Sequence, residues 1–377
     1  MNIAKDKNTI IFLSPTPPPY MGPSVATQII LNSKFIHAFN VIHIDTADRR
    51  SLNNLGRIDL FNIYLALKHY CLLLQQLLFS KADLVYVPIS QTSIGFLRDI
   101  PFILLSKLFR KKVVLHLRGG YFREFYDSSS IVMRFLIRRS LKSIDRMIVL
   151  GNSLRIILDG LIPKRKVSVI PNGLDIVFDA ANRDNKDQDQ IIVLFLSNLQ
   201  KTKGFWDVLY SLNSVIQKHN KVKYIFAGGW IGLEDMVKCK KYMKQQMIGD
   251  YVDFKGLVTG KDKIRLLQNA DIFAFPTYYP MEGHPWVIVE AMAAGLPIIT
   301  TDQGCIKESV IDGDNVFIVP YKTPDAIAEK ILYLIEHPEI REEMGHRSRQ
   351  IYEANFTEDH FVQRMIEVMK ETMGEGD

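Results

Sequence analysis

Two glutamates stand eight positions apart around the start of an apolar run in the stretch "MEGHPWVIVEAMAAGLPIITTDQG". Pro285 suits the first turn of a helix, where a missing backbone N–H costs nothing, and Gly295 followed by Pro297 would end that helix. Glu282 then lies in the loop at the helix entrance, and Glu290 lies about 2.2 turns further in at 3.6 residues per turn. The free N–H groups of a helix N-terminus attract anions such as a diphosphate.

The chemistry that this arrangement predicts is the binding of a sugar nucleotide. Two carboxylates that flank an anion site suit hydroxyl-rich groups on both sides of a diphosphate, with a sugar on one side and a ribose on the other. Taken alone, Glu290 is more typical of a surface helix than of a ligand site, and Glu282 is typical of an ordinary acid at a helix N-terminus. The interpretation therefore depends on the whole "EAMAAGLP" context between two predicted strands.

Elements that would position these residues follow from an alternation of short apolar runs with helix-length segments. Near-continuous apolar strands that alternate with helices predict parallel sheets covered on both faces, in two doubly wound α/β domains. The predicted strands are Ile10–Ser14, Val41–Asp45, Leu84–Ile89, Val113–Leu117, Met147–Leu150, Val167–Ile170, Ile191–Ser197, Lys223–Ala227, Val252–Phe254, Ile272–Pro276, Ile298–Thr301 and Val316–Val319.

A polar segment divides the two series of strands. "DAANRDNKDQDQ", residues 179–190, has no apolar periodicity and is predicted to be a linker. It separates an N-terminal Rossmann-like domain at residues 1–178 from a second one at 191–356. The remaining residues, 357–377, predict an amphipathic helix that packs back on the N-terminal domain.

Composition narrows the class of protein. A chain of 377 residues with 47% hydrophobic and 23% charged residues is typical of a soluble globular protein of roughly two domains. The net charge of +6 is spread along the chain, which favours anionic small molecules or an anionic membrane surface over nucleic acid. Three distant cysteines without metal-ligand spacing favour a reducing cytoplasm. No apolar run approaches the about 18 residues of a membrane-spanning helix; "YCLLLQQLLF" and "PFILLSKLFRKKVVL" come nearest.

Unusual residues gather where predicted strands end. Ligands of open parallel sheets bind beyond the carboxyl ends of the strands. His116, Arg118 and Gly119-Gly120 follow one strand in "LHLRGG", Gly228 follows another in "FAGGW", and "FPTYYPMEGHP" follows a third. We expect these residues to face one cleft between the domains, although a hydrogen-bonded structural histidine is an alternative for His116.

Nearly the whole chain resembles the retaining GT-B glycosyltransferases of the family four type, glycosyl transferases group 1. The resemblance is specific in "EGHPWVIVEAMAAGLPIITTDQGCIKESVIDGDNVFIVP", which follows the E-x7-E pattern, and looser in "PTPPPYMGP", "LHLRGG" and "VSVIPNGLD". It implies a GT-B fold of two Rossmann-like domains facing an interdomain cleft. The N-terminal domain would bind the acceptor and the C-terminal domain the nucleotide sugar.

The resemblance implies roles for individual positions. Glu282 matches the glutamate at the donor sugar, and Glu290 matches the one that holds the ribose hydroxyls. Lys203 matches the lysine that neutralises the diphosphate, His116 the histidine at the donor sugar and reaction centre, and Gly22 the glycine loop near the diphosphate. The other predicted donor-site residues are Asn198, Lys201, Gly228, Gly283, His284, Pro285, Trp286 and Val287, the predicted acceptor or cleft residues are Arg118, Gly119 and Gly120, and "PNG" at Asn172-Gly173 matches the domain junction.

The chain departs from the family pattern at Asn198, where an arginine commonly pairs with the diphosphate lysine. Lys201 or Arg118 would have to replace that arginine. The absence of a donor to the leaving group would lower the rate by ~10²–10³, by analogy with oxyanion-hole deletions. Asn315-Val316 also replaces the usual Asn-Gly, a change that we expect to affect only a turn.

The predicted function is that of a retaining hexosyltransferase. It would move a hexose-type sugar from a nucleoside diphosphate sugar to a glycan or lipid-linked acceptor, in bacterial capsule, exopolysaccharide or lipopolysaccharide biosynthesis. Neither a metal nor another cofactor is expected, because cationic side chains would take the place of the metal at the diphosphate. Alternatives are a catalytically silent nucleotide-sugar-binding partner subunit, motivated by Asn198, and a sugar-nucleotide epimerase. A dehydrogenase is disfavoured because no strand is followed by G-x-G-x-x-G.

Membrane contact is a separate hypothesis. "FREFYDSSSIVMRFLIRRSLK", residues 122–142, interleaves apolar residues with arginine and lysine, the pattern of a basic interfacial helix. An ordinary half-buried helix with a solvated basic face fits equally well. The hypothesis places a cytoplasmic protein at the inner face of the cytoplasmic membrane.

Overall fold

The chain forms two compact units in a computed structural model that describes residues 7–50, 59–178 and 190–374. The first unit comprises residues 1–173 and 358–377, and the second comprises residues 174–357. The division between them therefore falls after Gly173, a few residues before the predicted linker. Apart from Gln190, that predicted linker at 179–190 lies outside the described residues.

The first unit is built on a six-stranded parallel sheet with the order β2-β1-β3-β4-β5-β6. Every residue of its first strand is buried, as expected for a strand covered on both faces. The chain runs outward from β1 to β2 and then returns to β3. Right-handed crossovers consequently put the β1–β2 helices on one face of the sheet and the following helices on the other. The strands are β1 (Thr9–Ser14), β2 (Asn40–Asp45), β3 (Leu84–Ile89), β4 (Lys112–Leu117), β5 (Arg146–Val149) and β6 (Val167–Val169).

Side chains cap several helices of the first unit. The carboxylate of Asp59 accepts a hydrogen bond from the backbone N–H of Asn62 (2.7 Å), and the hydroxyl of Thr92 accepts one from Gly95 N–H (3.3 Å). These caps begin the helices at Leu60–Phe79 and Ser93–Leu108. The helices are α1 (Gly22–Leu31), α2 (Phe35–Ala38), α3 (Leu60–Phe79), α4 (Ser93–Leu108), α5 (Phe122–Ser128), α6 (Ile131–Ser143) and α7 (Asn152–Ile156).

The single basic helix predicted over residues 122–142 is wrong, because the segment forms α5 and α6 as separate helices. The hydroxyl of Ser129 donates to the Phe125 carbonyl (2.6 Å), and the hydroxyl of Ser130 accepts from Met133 N–H (3.2 Å). Serine side chains compete with backbone hydrogen bonds in this way and favour helix ends. All the basic residues except Arg123 consequently fall on α6.

The second unit repeats the architecture with a six-stranded parallel sheet of order β12-β11-β10-β7-β8-β9. The strand order reverses between β7 and β10, the position where doubly wound sheets bind ligands. Its strands are β7 (Ile191–Leu196), β8 (Val222–Ala227), β9 (Val252–Gly256), β10 (Ile272–Phe275), β11 (Ile298–Thr300) and β12 (Val316–Ile318). Its helices are α8 (Phe205–Lys218), α9 (Leu233–Gln246), α10 (Gly260–Asn269), α11 (Trp286–Ala293), α12 (Pro324–Glu336) and α13 (Pro338–Asn355).

The last helix, α14 (Glu358–Met373), belongs to the first unit. It packs against α2 and β4 and buries Phe361, Met365 and Met369.

Each of the twelve predicted strands is present, with ends within two residues of the prediction. The predicted α/β class with two Rossmann-like domains is confirmed.

Candidate functional site

Glu282 lies in the loop between β10 and α11, and its carboxylate is held by two side chains. One oxygen, Oε2, accepts hydrogen bonds from Lys203 Nζ (2.7 Å) and from the hydroxyl of Thr277 (3.0 Å). The Lys203 ammonium also lies 4.3 Å from the ring centroid of Tyr279, in a cation–π position. Glu282 is only 8% exposed. We call Lys203, Thr277 and Glu282 the Glu282 cluster.

A close backbone approach brings the two loops of this cluster together. Gly204 has φ +84°, and a Cβ added there would lie 2.3 Å from the carbonyl oxygen of Pro276. Only glycine fits this contact, since it combines a left-handed backbone with sub-van-der-Waals space. The carbonyl of Thr202 also accepts from the backbone N–H of Tyr278 (2.8 Å). Lys203, on the loop after β7, is thereby fixed beside the loop after β10.

The second predicted carboxylate, Glu290, is held by a residue that sequence reasoning missed. Its Oε1 lies 2.6 Å from Nζ of Lys263 in the first turn of α10, and Glu290 is 5% exposed. Burying an ionised carboxylate is costly unless a cation or hydrogen bonds compensate its charge, so a partner for Glu290 was to be expected in physical terms. Nothing in the spacing of the two residues, which are 27 positions apart, pointed to Lys263.

The start of α11 is held in place by its N-cap and by a hydrogen bond of the preceding residue. Pro285 is its N-cap and Trp286 its first residue, followed by Val287. His284 is 3% exposed, and its Nε2 lies 2.7 Å from the hydroxyl of Ser309. Burial lowers the pKa of His284 to about 4, so the ring is neutral at physiological pH. His284 thus holds the loop in place through its own hydrogen bond.

Gly283 is fixed by the loop that follows β11. Its carbonyl accepts from the backbone N–H of Cys305 (2.8 Å). A Cβ on Gly304, which has φ +63°, would lie 2.5 Å from that same carbonyl oxygen. The loop carrying Glu282 is therefore packed against backbone and has a defined position.

The loops after β7 and β8 carry the other predicted residues of this unit. A Cβ on Gly228 would lie 1.8 Å from the carbonyl oxygen of Ser197, so only glycine fits. Asn198 and Lys201 are both exposed. Asp207, at the start of α8, has a pKa raised by burial, an effect that Lys322 and Lys201 oppose. Lys201 therefore lies within electrostatic reach of a buried carboxylate.

The first unit holds a second cluster around His116 in β4, made of Tyr86, His116, Arg118 and Asn172. His116 is fully buried, with Nδ1 2.8 Å from the hydroxyl of Tyr86 and 3.4 Å from Nη2 of Arg118. Arg118 also donates from Nη1 to the side-chain oxygen of Asn172 (3.1 Å). We call this group the His116 cluster. Gly119 and Gly120 follow it directly, and Gly22 is the first residue of α1.

The His116 cluster defines which ring nitrogen carries the proton. A guanidinium can only donate, so the contact with Arg118 makes Nδ1 the acceptor and leaves the proton on Nε2. Nε2 is buried and has no hydrogen-bond partner among the described residues. Burial, reinforced by the charge of Arg118, lowers the pKa of His116 well below its usual value of 6.5. The imidazole is therefore neutral and carries an unused donor.

Metal binding has no support in the described part of the chain. No group of three or more His, Cys, Asp or Glu side chains could hold a metal ion within residues 7–50, 59–178 and 190–374. The cations beside the buried glutamates are lysines, Lys203 and Lys263.

Solved structures resemble the fold over nearly its full length. HepE of Anabaena, solved in complex with UDP, matches with a TM-score of 0.74 at 18% identity, over 97% of this chain and all of that one. Sucrose-phosphate synthase of Thermosynechococcus elongatus matches with a TM-score of 0.76 at 16% identity, over 98% of this chain and all of that one. The fold is thus the two-domain GT-B fold of glycosyltransferases.

Sequence comparison finds similarity to glycosyltransferases over about half of the chain. Residues 178–351 match the family model described as glycosyl transferases group 1. Spore coat protein SA of Bacillus subtilis is 34% identical over 47% of this chain and 48% of its own length. Capsular polysaccharide biosynthesis glycosyltransferase CapM of Staphylococcus aureus is 28% identical over 56% of this chain and 57% of its own. The chain spans about half the length of these curated relatives, and the family-model match lies within its second unit, where the resemblance is specific.

Proposed function

We propose that the protein is a retaining glycosyltransferase that moves a hexose-type sugar from a nucleoside diphosphate sugar to a glycan or lipid-linked acceptor. The observation that carries the proposal is the buried pair of Lys203 and Glu282 at the entrance of α11, 2.7 Å apart within the glycosyl transferases group 1 unit. An ammonium and a carboxylate held beside a helix N-terminus provide for both parts of such a donor, the phosphates and the sugar hydroxyls.

The diphosphate would compete with Glu282 for Lys203. In this proposal the Lys203 ammonium turns to the phosphates, whose charge is higher, and Glu282 is released to accept hydrogen bonds from the donor sugar. Thr277 keeps the carboxylate in place during this exchange, because its hydroxyl bonds to the same oxygen, Oε2. The Trp286 end of α11 supplies the positive end of a helix dipole to the phosphates.

Glu290 would hold the ribose of the nucleotide. Its carboxylate can accept hydrogen bonds from two adjacent hydroxyls, while the ion pair with Lys263 holds it at its buried position. Lys263 is therefore proposed as a positioning residue of the donor site, acting through Glu290.

A second positive charge for the leaving group would come from Lys201. Asn198 stands where the family commonly has arginine, and an amide cannot neutralise a phosphate. Lys201 lies two residues before Lys203 in the same turn and is exposed, so it is available to a bound diphosphate. The charges of Lys203 and Lys201 would then take the place of a metal ion.

The reaction would proceed at the donor sugar with His116 as a neutral hydrogen-bond donor. Its Nε2–H would bind a hydroxyl of the donor sugar and orient the ring. The acceptor hydroxyl attacks the anomeric carbon from the face on which the phosphate leaves, and its proton passes to the departing phosphate oxygen. Positioning and electrostatics supply most of the barrier reduction. Gly22, Arg118, Gly119 and Gly120 are proposed to line the diphosphate and acceptor sides of this centre.

The substrate class and setting rest on the relatives. CapM is named for capsular polysaccharide biosynthesis, and HepE was solved with UDP. We therefore propose a role in bacterial surface polysaccharide biosynthesis, with a uridine nucleotide as the first candidate. A lipid-linked acceptor would place the protein at the inner face of the cytoplasmic membrane, where the basic helix α6 contacts lipid. Among the described residues, no helix is long and apolar enough to cross a membrane.

Calorimetric titration of the purified protein with UDP, GDP and ADP, in the presence of EDTA, tests the donor site. We expect one nucleotide to bind with a micromolar dissociation constant. Binding should be lost in Lys203→Ala and Glu290→Ala and kept in Lys244→Ala, a matched change at an exposed lysine of α9.

Two outcomes would contradict the proposal at different points. Absence of binding to all three nucleotides would refute the donor site itself. Nucleotide binding without transfer or hydrolysis of any sugar nucleotide would instead identify a silent partner subunit.

A further inference from the structure

We propose that α3, α4 and α6 of the first unit form a docking surface for a bilayer that contains anionic lipids. We call their solvent-facing side the α3–α4–α6 face. The three helices follow one another in one layer, since α3 packs on α4 and α4 packs on α6. The hydroxyl of Tyr70 on α3 also donates to the Arg98 carbonyl on α4 (2.8 Å), and the Tyr70 ring lies 4.9 Å from that of Phe102.

Helix α3 presents an apolar row to solvent along its whole length. Leu60 and Leu78 bound this row, which spans about 27 Å at 1.5 Å per residue. Residues three or four apart lie on one side of a helix, so these side chains form a continuous stripe. The row, with exposed fractions, is Leu60 (86%), Tyr64 (58%), Leu67 (57%), Leu74 (38%) and Leu78 (57%), together with the exposed Cys71.

The neighbouring helices extend this apolar surface. Helix α4 adds a second row, with gaps of three, seven and four residues, and the first five residues of α6 add three more side chains. Soluble monomers rarely expose a contiguous apolar patch of this extent unless it binds a partner. The added residues are Ile94 (44%), Leu97 (47%), Leu104 (50%) and Leu108 (75%) on α4, and Ile131 (82%), Val132 (68%) and Phe135 (65%) on α6.

The charged residues of the α3–α4–α6 face indicate which kind of partner it binds. Within the three described helices the only acidic residue is Asp99, which is 1% exposed. The basic residues Arg98 and Lys107 pair with Asp99 and Asp145. Five further basic residues are exposed, namely Lys68 on α3 and Arg134, Arg138, Arg139 and Lys142 on α6.

On the three described helices every exposed charge is positive, so this apolar face is complementary to anionic lipid. Its leucines can enter the boundary of headgroups and acyl chains while its arginines and lysines contact phosphates. A second copy of the same face would bring like charges together, which opposes self-association. The surface therefore fits a membrane better than a dimer. The inference rests on the proposed function only for the lipid-linked nature of the acceptor.

Cys71 allows a direct test on the natural chain. It is exposed in the middle of the α3 row, whereas Cys239 and Cys305 are buried, so a thiol-reactive, polarity-sensitive fluorophore should label it selectively. Adding vesicles that contain phosphatidylglycerol should shift the fluorophore emission to the blue, and purely phosphatidylcholine vesicles should not. A label on Val237→Cys in a Cys71→Ser background, on exposed α9 of the second unit, should not respond. No shift at Cys71 would overturn the proposal.

Variants separate the apolar and charged contributions in a vesicle flotation assay. Leu67→Gln, Leu74→Gln and Leu78→Gln should each weaken binding, by about tenfold for a leucine that becomes buried in lipid. Substitution of Arg134 or Arg139 by glutamine should weaken vesicle binding about fivefold per charge at low salt. The matched control is the pair Leu233→Gln and Val237→Gln on α9, which should leave binding unchanged.

Titration with the nucleotide that the calorimetric screen selects distinguishes the two proposals. Variants of the α3–α4–α6 face should keep full nucleotide affinity, and their circular dichroism should match that of the natural chain. If the natural chain floats with anionic vesicles but binds no nucleotide, the proposed function fails and the docking surface stands. If it ignores vesicles but forms a dimer that the leucine variants abolish, the occupant is a second copy and the membrane proposal fails.

Discussion

The ammonium of Lys263 lies 2.6 Å from the carboxylate of Glu290, in a pair that joins the first turn of α10 to the middle of α11. Glu290 is almost completely buried, whereas the lysine side chain keeps 31% of its exposure. The lysine thus enters from solvent and neutralises a charge that the fold has removed from water.

Removal of this lysine should destabilise the second unit. In Lys263→Met the Glu290 carboxylate loses its partner at a buried position, and we expect a loss of about 2 kcal/mol in the free energy of unfolding, less than for a fully buried pair. Urea unfolding of the variant measures this. Lys255→Met breaks an ion pair with Asp253 between exposed side chains and is the matched control, expected near zero. Equal losses in the two variants would contradict the buried role of Glu290.

Glu282→Ala should abolish sugar transfer while the fold persists. The change removes the proposed contact with the donor sugar and releases Lys203, and we expect kcat/KM to fall by about 10²–10³ or more. The kcat/KM of the isosteric Glu282→Gln variant should fall almost as far, because an amide cannot balance the charge of Lys203. Turnover of a sugar nucleotide and far-UV circular dichroism measure the two quantities. Glu336→Ala, at the exposed end of α12, serves as control. Near-normal turnover by Glu282→Ala would refute the proposed contact of Glu282 with the donor sugar.

Stability should decrease on acidification because of His284. Its pKa is lowered by burial from 6.5 to about 4, so the stabilisation is complete above pH 6.5 and is lost as the pH falls toward 4. Between pH 7.5 and pH 5 this histidine alone should cost about 2 kcal/mol. Urea unfolding at both pH values should show a smaller difference in His284→Asn than in the natural chain. His346→Asn, at an exposed position of α13, should retain the full difference.

Two adjacent glycines provide a paired test of the loop after β8. Gly228→Ala places a methyl group 1.8 Å from the Ser197 carbonyl, whereas a Cβ at Gly229 meets nothing within 4 Å. Gly228→Ala should lose about 3 kcal/mol or more of unfolding free energy, since the contact is with backbone and cannot relax cheaply. Gly229→Ala should behave like the natural chain. Thermal unfolding of the two variants makes the comparison. Similar midpoints would show that the loop shifts to accommodate the methyl group without a loss of stability, which would contradict the prediction.

The elements were predictable where burial dictates composition. A strand covered on both faces must be apolar throughout, so runs such as Leu84–Ile89 stand out without any alignment. Helix ends were less visible: Ser129 and Ser130 divide α5 from α6 through side-chain hydrogen bonds that apolar periodicity does not reveal. The order of the strands in each sheet could not be predicted either, because it depends on which strands pair and not on the composition of any single strand.

The partners of the site residues could not be predicted because they depend on tertiary register. Tyr86 resembled a core residue of β3, yet it pairs in register with Val114, two positions before His116, and its hydroxyl reaches that ring. Lys263 likewise meets Glu290 only because α10 begins where it does. On α3, apolar residues on every side of the helix concealed which of them face solvent.

The return of α14 to the first unit has a consequence for the order of synthesis. The second unit is one continuous segment, 174–357, and leaves the ribosome whole before the helix that completes the first unit. Until then the surfaces of α2 and β4 that pack against α14 stay uncovered. The first unit is therefore completed only after the second, and the apolar side chains that α14 buries gain their cover last.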